Sequence, residues 1–359
     1  MTYRVIQWAT GGVGRAAIEG VLDHPDLELA GAWVHSKSKD GTDLGTLVGR
    51  GPVGVTATRD VAALLALDAD CVLYSPFMAD AEVVAAILES GKNVVTPLGW
   101  FYPPADERDR FDAIAKAAGV TLHGTGIHPG GITERFPLMI SALCGSITHV
   151  RAEEFSDIRT YGAPDVVRDW MLFGKTPEEA SKSIMADALG AGFRQSVFMV
   201  NAELGFDIEP RLRTTHEMAV ATKPIDSPIG IIEPGTVAAQ RFRWEALVDG
   251  EPVITAAVNW LMGEAHLDPA WKIGDAGERF EVEVTGDPSC LTIFKKLHPV
   301  TVEAGLERNP GIVATAMHCV NAIPYACAAE PGLRTYLDLP IAAGRAAAAL
   351  HRDRAAAGR

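Results

Sequence analysis

The chain is short of positive charge: 32 Lys and Arg stand against 46 Asp and Glu among 359 residues, a formal net charge of −14. A nucleic-acid partner, whose phosphates need a basic face, is therefore not expected. No apolar run reaches the ~18 residues that would suggest a membrane span, so no membrane partner is expected either. The cysteines are few: Cys71, Cys144, Cys290, Cys319 and Cys327 are odd in number, form no C-x-x-C pair and have apolar neighbours. They read as buried reduced thiols of a cytoplasmic protein. The ten histidines show no H-E-x-x-H spacing, and no metal is expected. The opening MTYRVIQWATGG runs straight into a strand pattern, so no signal peptide is expected. No internal repeat is visible.

What the chain does have is an apolar strand that enters a glycine turn, and a helix that leaves it. Residues 4–20 read RVIQWATGGVGRAAIEG. This is the dinucleotide fingerprint G-x-G-x-x-G with its first glycine replaced: Ala9-Thr10-Gly11-Gly12-Val13-Gly14. Gly11 lets the backbone approach a pyrophosphate, and Gly14 lets the helix pack tightly on its strand. The helix N-terminus then offers free N–H groups and a positive dipole end to phosphates. These six residues are assigned to cofactor binding; the competing reading is a tight βα turn that binds nothing.

The length favours two domains. Over the first 130 or so residues strand and helix patterns alternate: YRVIQWA, GVGRAAIEGVLDH, LELAGAWVH, a short segment near VGVTA, then DCVLYSP, KNVVTP and VTLHGTG with helices between them. Such alternation means a doubly wound parallel α/β sheet of Rossmann type. After about residue 145 the period changes to strict alternation, in THVRAEEFSDI, RLRTTHEMAVATK, AAQRFRWEALVDG, EPVITAAVNWLM and RFEVEVTG. That implies a mostly antiparallel sheet with one exposed face, in an α+β domain with helices over PDVVRDWMLFG and PEEASKSIMADALGAGF. The expected boundaries are 1–135 for the Rossmann domain and 136–308 for the substrate and dimerisation domain. A helix within 309–345 should return to the first domain, and 346–359 is an Ala/Arg-rich tail, solvated or frayed.

In this fold the second strand ordinarily ends in an acid that binds the ribose 2′-OH of NAD. Here it ends Trp33-Val34-His35-Ser36-Lys37, with Lys39 and Arg50 nearby. A carboxylate would repel a 2′-phosphate, whereas Ser36 and Lys37 can bind it. NADP is therefore expected over NAD, with His35, Ser36 and Lys37 at the adenosine end. Ser75 and Pro76, then Thr96, end the next two strands and are expected to border the cofactor as well.

With the glycine turn, GKNVVTP and HGTGIHPGGITERFPL in view, the chain resembles the 2,4-diaminopentanoate dehydrogenase and amine dehydrogenase family, often labelled dihydrodipicolinate-reductase-like. The likeness includes the turn Gly124 to Gly130, the late segment from Asn309-Pro310-Gly311 through Val320-Asn321 to Pro331-Gly332-Leu333, and Asp338-Leu339-Pro340. It implies a Rossmann domain, a dimerising α+β domain, a homodimer, and NAD(P)-dependent chemistry at a C–N bond with the site between domains. Asn321 is carried over as a cofactor-binding position. The His-His and Lys-x-Asp-x-Pro-Ser-Gly-Thr motifs of true dihydrodipicolinate reductases are missing. The glutamate pair that amine dehydrogenases carry after NVVTP is replaced by Leu98-Gly99-Trp100-Phe101-Tyr102. A carboxylate there would stabilise an iminium and shuttle protons, so reduction of a bond already formed is expected rather than amination with free ammonia.

Hydride addition to C=N or C=O needs a proton or a dipole to meet the charge it leaves. His128 follows a glycine turn at a strand end; the competing reading is a histidine capping its own loop. Tyr102 lies in the loop that replaced the glutamates and can donate to oxygen or nitrogen. Glu154, beside Glu153 on a strand, is the carboxylate expected to face a cleft, with Glu134 and Asp157 as further carboxylates. Trp100, Phe101, Tyr161 and Trp170 suggest an apolar wall, though aromatics so spaced are more often core. The expected function is an NAD(P)H-dependent oxidoreductase for a small, partly apolar substrate. The rivals are an NADP-binding redox sensor or scaffold without turnover, and a reductase of C=C or carbonyl bonds.

Overall fold

The computed structural model describes residues 2–182, 185–347 and 350. The chain divides into two compact units, Met1–Gly126 with Ile312–Arg359, and Ile127–Gly311.

The first unit is built on a parallel sheet. Its strands are β1 (Tyr3–Trp8), β2 (Leu27–Trp33), β3 (Ala57–Thr58), β4 (Cys71–Tyr74), β5 (Asn93–Thr96) and β6 (Thr121–Gly124), with the late pair Gly332–Leu333 added beside β6. The order in space is Gly332–Leu333, β6, β5, β4, β1, β2, β3. Because β1 pairs with both β2 and β4, the chain runs outward in opposite directions from it. In such a sheet the crevice outside the strands' carboxyl ends, at this switch point, is where ligands bind. Val5, Leu73 and Val95 pack on one face with Ala17 and Ile18 of the first helix (Gly12–Asp23) and Val320 and Ile323 of the helix Pro310–Cys327. Ile6, Val72 and Val94 pack on the other with Val84, Ile87 and Phe111. Burial on both faces is why these strands read as continuous apolar runs. Gly20 lies against the late helix, where a Cβ would come within 2.2 Å of the end of the Met317 side chain.

The second unit contains β7 (Gly145–Asp157), β8 (Arg213–Ala221), the hairpin β9 (Ile225–Ser227) and β10 (Gly230–Ile232), β11 (Val237–Val248), β12 (Glu251–Leu261), β13 (Leu267–Asp268), β14 (Arg279–Asp287) and β15 (Cys290–Phe294). Its large sheet runs β13, β8, β11, β12, β7, β14, β15 and is antiparallel except where β12 meets β7. One face is apolar and covered by the helix Met185–Leu204, whose Phe193 stacks on Trp244 at 4.4 Å. The other carries a charged ladder: Arg151 bonds to Glu153, Glu281 and Glu283, and Asn259 Nδ2 donates to Glu153 Oε1 at 2.8 Å. That division is the strict alternation of the sequence made visible.

Several boundaries differ from the sequence expectation. The third strand is two residues, Ala57–Thr58, not VGVTA. The helix begun at Pro164 ends at Asp169, and the segment expected as one helix over 177–193 contains Pro177–Ala180 and Met185–Leu204. Residues 183 and 184, and the tail from 351 to 359, lie outside the described residues. Among the described residues no helix is long and apolar enough to cross a membrane, all five cysteines are unpaired, and no cluster of His, Cys, Asp and Glu fits a metal.

Candidate active site

The glycine turn is closed from both sides by close contacts. Ala9, in the place of the missing first glycine, has φ of 76°, a left-handed conformation that costs an L-residue roughly 1–2 kcal/mol. Gly14 sits against it: a Cβ there would lie 2.1 Å from the Ala9 carbonyl oxygen. Buried Gln7 fixes the arrangement, its Nε2 donating to the Ala9 carbonyl at 2.9 Å and to Ser75 Oγ at 2.8 Å. Gly11 is the N-cap of the first helix, no side chain caps that end, and a Cβ at Gly11 would meet nothing within 4 Å. An uncapped helix start presents unsatisfied N–H groups. With open space above it, the turn Ala9 to Gly14, Thr10, Gly12 and Val13 included, fits a pyrophosphate.

At the tip of β2, His35 is exposed with its ring 6.1 Å from that of Trp33. Ser36 caps the short turn Lys37–Lys39, accepting from Ser38 N at 3.3 Å and sharing a hydroxyl hydrogen bond with Ser38 at 2.7 Å. Lys37 points into solvent. The cation that reaches the glycine turn is Lys39, whose Nζ donates to the Thr10 carbonyl at 3.0 Å and to its hydroxyl at 3.3 Å. Arg50 is engaged elsewhere, in a two-pronged pair with Asp23 at 2.7 and 2.6 Å.

Ser75, after β4, is tied to the turn by Gln7, with Pro76 half-buried beside it. Thr96 is fully buried; its hydroxyl accepts from Leu98 N at 3.2 Å and its carbonyl from Thr125 N at 2.8 Å. The loop that follows folds back onto the end of β6: a Cβ on Gly124 would be 2.2 Å from the Gly99 carbonyl oxygen. Trp100 and Phe101 are consequently core, Trp100 meeting Phe111 edge-on at 5.2 Å, and Tyr102 is half-buried. Just past β6, Thr125 Oγ1 stands 2.9 Å from His318 Nδ1 and hydrogen-bonds the Tyr336 hydroxyl, which is itself 3.2 Å from the same nitrogen. Sequence reasoning missed this group. Thr125 stood in a noted motif, but its partners are 193 and 211 residues away. Asn321, one helical turn beyond His318, lies 3.8 Å from where Gly344 would carry a Cβ.

In the second unit His128 is enclosed between Phe193 at 4.7 Å and Phe280 at 5.6 Å. Its Nε2 is 3.1 Å from the Ala257 carbonyl, to which it must donate, and its Nδ1 is 2.9 Å from Thr133 Oγ1. Both nitrogens are thus engaged in a neutral ring, and burial pushes the imidazole below its ordinary value. Glu134, in the short π-turn Gly131–Arg135, is fully buried; its Oε1 accepts from Ser196 Oγ at 2.5 Å while Oε2 has no partner. Desolvation raises this carboxyl to about 8. Glu154, on the covered face of β7, behaves oppositely. Burial alone would raise it, but the imidazoles of His298 and His128 and the Ser156 hydroxyl hold it below the usual carboxylate range. His298 Nε2 is 3.9 Å from Glu154 Oε1, and neither ring nitrogen of His298 has a hydrogen-bond partner.

Residues 132–355 match the profile of the 2,4-diaminopentanoate dehydrogenase C-terminal domain, and residues 5–98 that of the dihydrodipicolinate reductase N-terminus. The chain is 32% identical to an amine dehydrogenase of Streptomyces virginiae, over 94% of this chain and 96% of that one. It is 26% identical to a 2,4-diaminopentanoate dehydrogenase of Acetoanaerobium sticklandii, over 94% and 93%. In fold it is similar to an amine dehydrogenase from Mycobacterium smegmatis, with a TM-score of 0.75, 22% identity, and coverage of 96% of this chain and 98% of that one.

Proposed function

The chain belongs to the family of 2,4-diaminopentanoate and amine dehydrogenases, and we propose that it is an NAD(P)H-dependent oxidoreductase that delivers a hydride to a C=N or C=O bond of a small, partly apolar substrate. The observation that carries this reading is the turn in which Gly14 closes on a left-handed Ala9 at the end of β1. A bound reduced nicotinamide supplies the hydride; the chain's residues bind, orient and handle protons. Thr10 to Gly14 hold the pyrophosphate. His35, Ser36 and Lys37, together with Lys39, receive the adenosine end and favour NADP. Ser75, Pro76, Thr96 and Asn321 complete the cofactor site.

Among the catalytic candidates, Glu154 is the carboxylate that remains charged and stands for the lost glutamate pair against a developing cation. Tyr102 is a second donor in the replaced loop. His128, neutral and held at both nitrogens by Thr133 and Ala257, keeps its own loop in place. The missing glutamates favour substrates whose C=N bond already exists, since these skip loss of water. We also propose a homodimer through the second unit, whose sheet carries a face of paired Arg and Glu on β7 and β14, with the protein acting in the cytoplasm.

The test is NADPH oxidation against cyclic imines, ketones with and without ammonium, and enones. Turnover with the imines supports the reading. Turnover only with ketones and ammonium restores amine dehydrogenase chemistry. No turnover with any, but tight NADPH binding, points to a sensor.

A further inference from the structure

We infer that Thr125, His318 and Tyr336 form a proton-donating unit on the ligand edge of the first sheet, with His318 giving the proton and the two hydroxyls positioning it. The inference rests on the oxidoreductase reading above. The three side chains come from different segments: Thr125 directly follows β6, Tyr336 follows the neighbouring strand Gly332–Leu333, and His318 lies on the helix Pro310–Cys327. β6 and Gly332–Leu333 run parallel to each other and to β5, so their carboxyl ends lie on the side of the sheet where this fold receives ligands. Their three heteroatoms close a triangle, Thr125 Oγ1 to His318 Nδ1 at 2.9 Å, Tyr336 OH to the same nitrogen at 3.2 Å, and the two hydroxyls to each other.

Burial separates the roles. Thr125 is 0% exposed and Tyr336 8%, whereas the His318 residue is half-buried, the most accessible of the three. Apolar side chains of similar shape would fill the hydroxyl positions without desolvating polar atoms, so packing alone gives no reason for the triangle. His123 supports it from below: its ring meets Tyr336 edge-on at 5.4 Å, and its Nδ1 is fixed 2.7 Å from the Arg334 carbonyl.

The chemistry balances simply. When a hydride adds to the carbon of a C=N bond, the nitrogen gains an electron pair and needs one proton. That proton leaves Nε2 of the protonated His318 ring, which becomes neutral and recovers a proton from water. The two hydroxyls hold Nδ1, fixing which nitrogen gives the proton and where the ring points.

The experiment uses the full chain with 15N-labelled histidine at a single neutral pH. His318 is identified by its loss in His318→Gln, and calorimetry with NADP+ and NAD+ is run on every variant. The expected result is that Thr125→Val and Tyr336→Phe each alter the His318 tautomer, and that saturating NADP+ shifts the His318 ring signals more than those of His24. With 2-methyl-1-pyrroline and NADPH, His318→Gln should slow turnover about 10²-fold and Tyr336→Phe about 10-fold, with cofactor affinity changed by no more than about threefold. If that imine is not reduced by the wild type, the spectra decide. A His318 ring that ignores both neighbours and cofactor, or undiminished turnover in His318→Gln, overturns the proposal. Failure of the wild type to bind either nucleotide overturns the oxidoreductase reading, and this proposal with it; binding with an unmoved His318 overturns this proposal alone.

Discussion

A Cβ on residue 14 would stand 2.1 Å from the carbonyl oxygen of Ala9, and Ala9 itself is left-handed with φ of 76°. The two residues fix how the first helix leaves β1. Gly14→Ala has backbone, not a flexible side chain, in its way. It should cost about 3 kcal/mol in urea unfolding and abolish nucleotide binding by calorimetry. Ala9→Gly removes left-handed strain of roughly 1–2 kcal/mol against a chain-entropy cost of about 0.5–1 kcal/mol. It should leave stability unchanged or raise it by up to about 1.5 kcal/mol. A clear loss of stability in Ala9→Gly would show that the strain is not there.

The second prediction concerns cofactor choice. Lys39 is the cation pinned to Thr10, and no acid stands at the tip of β2. Lys39→Met should weaken NADP+ binding about tenfold, or ~1.4 kcal/mol, and NAD+ by no more than about threefold, by titration calorimetry. Ser36→Asp should move preference toward NAD. Equal losses for both nucleotides in Lys39→Met would limit Lys39 to bracing the turn.

Glu134 makes stability depend on pH. Its folded carboxyl titrates near 8, above its ordinary 4.5, because it is fully buried with one oxygen unpartnered. The folded state therefore holds a proton that the unfolded chain has already lost. The stabilisation is complete below about 4.5 and drains away as pH rises through about 8. The slope approaches ~1.4 kcal/mol per pH unit within that window. The lowered histidines, His128 among them, act below their ordinary 6.5, and the raised thiols of Cys71 and Cys319 act mainly above about 8, so the range from about 7 to 8 reports chiefly on the carboxyl. Urea midpoints of the wild type should fall across that range, and those of Glu134→Gln should be flatter. Parallel slopes would mean that Glu134 is ionised in the folded protein.

Much of the first unit was legible because its signals are local. The run YRVIQWATGGVG contains strand, turn and helix start within a dozen residues. The alternating charges of β7, β11 and β14 likewise announced a sheet with unlike faces. What could not be read was pairing over distance. Gly332–Leu333 is too short to show a period, and its strand character comes from β6, to which it binds over 200 residues later. The same holds for His318 and Tyr336, unremarkable in their own segments and brought to Thr125 only by the fold. At β2 the composition pointed to a cation near the turn, but which lysine reaches it depends on the short helical turn that Ser36 caps.

The dimer proposal is checked by light scattering at low micromolar concentration. Twice the monomer mass is expected. Substituting Arg151, which holds Glu153, Glu281 and Glu283 together, should lower stability by about 3–5 kcal/mol, because it leaves several carboxylates uncompensated in a poorly hydrated place. A monomer in the wild type would contradict the assignment.

The most direct measurement is single-turnover stopped flow. NADPH bound to the protein is mixed with a preformed cyclic imine, and loss of nicotinamide absorbance is followed with protium and then deuterium at the transferred position of C4. Hydride transfer to the C=N carbon predicts oxidation of the bound cofactor with a primary isotope effect of about 2 or more on that phase when chemistry limits it. Bound NADPH that stays reduced against imines, carbonyls and enones alike would contradict it, leaving a nucleotide-binding protein without this chemistry.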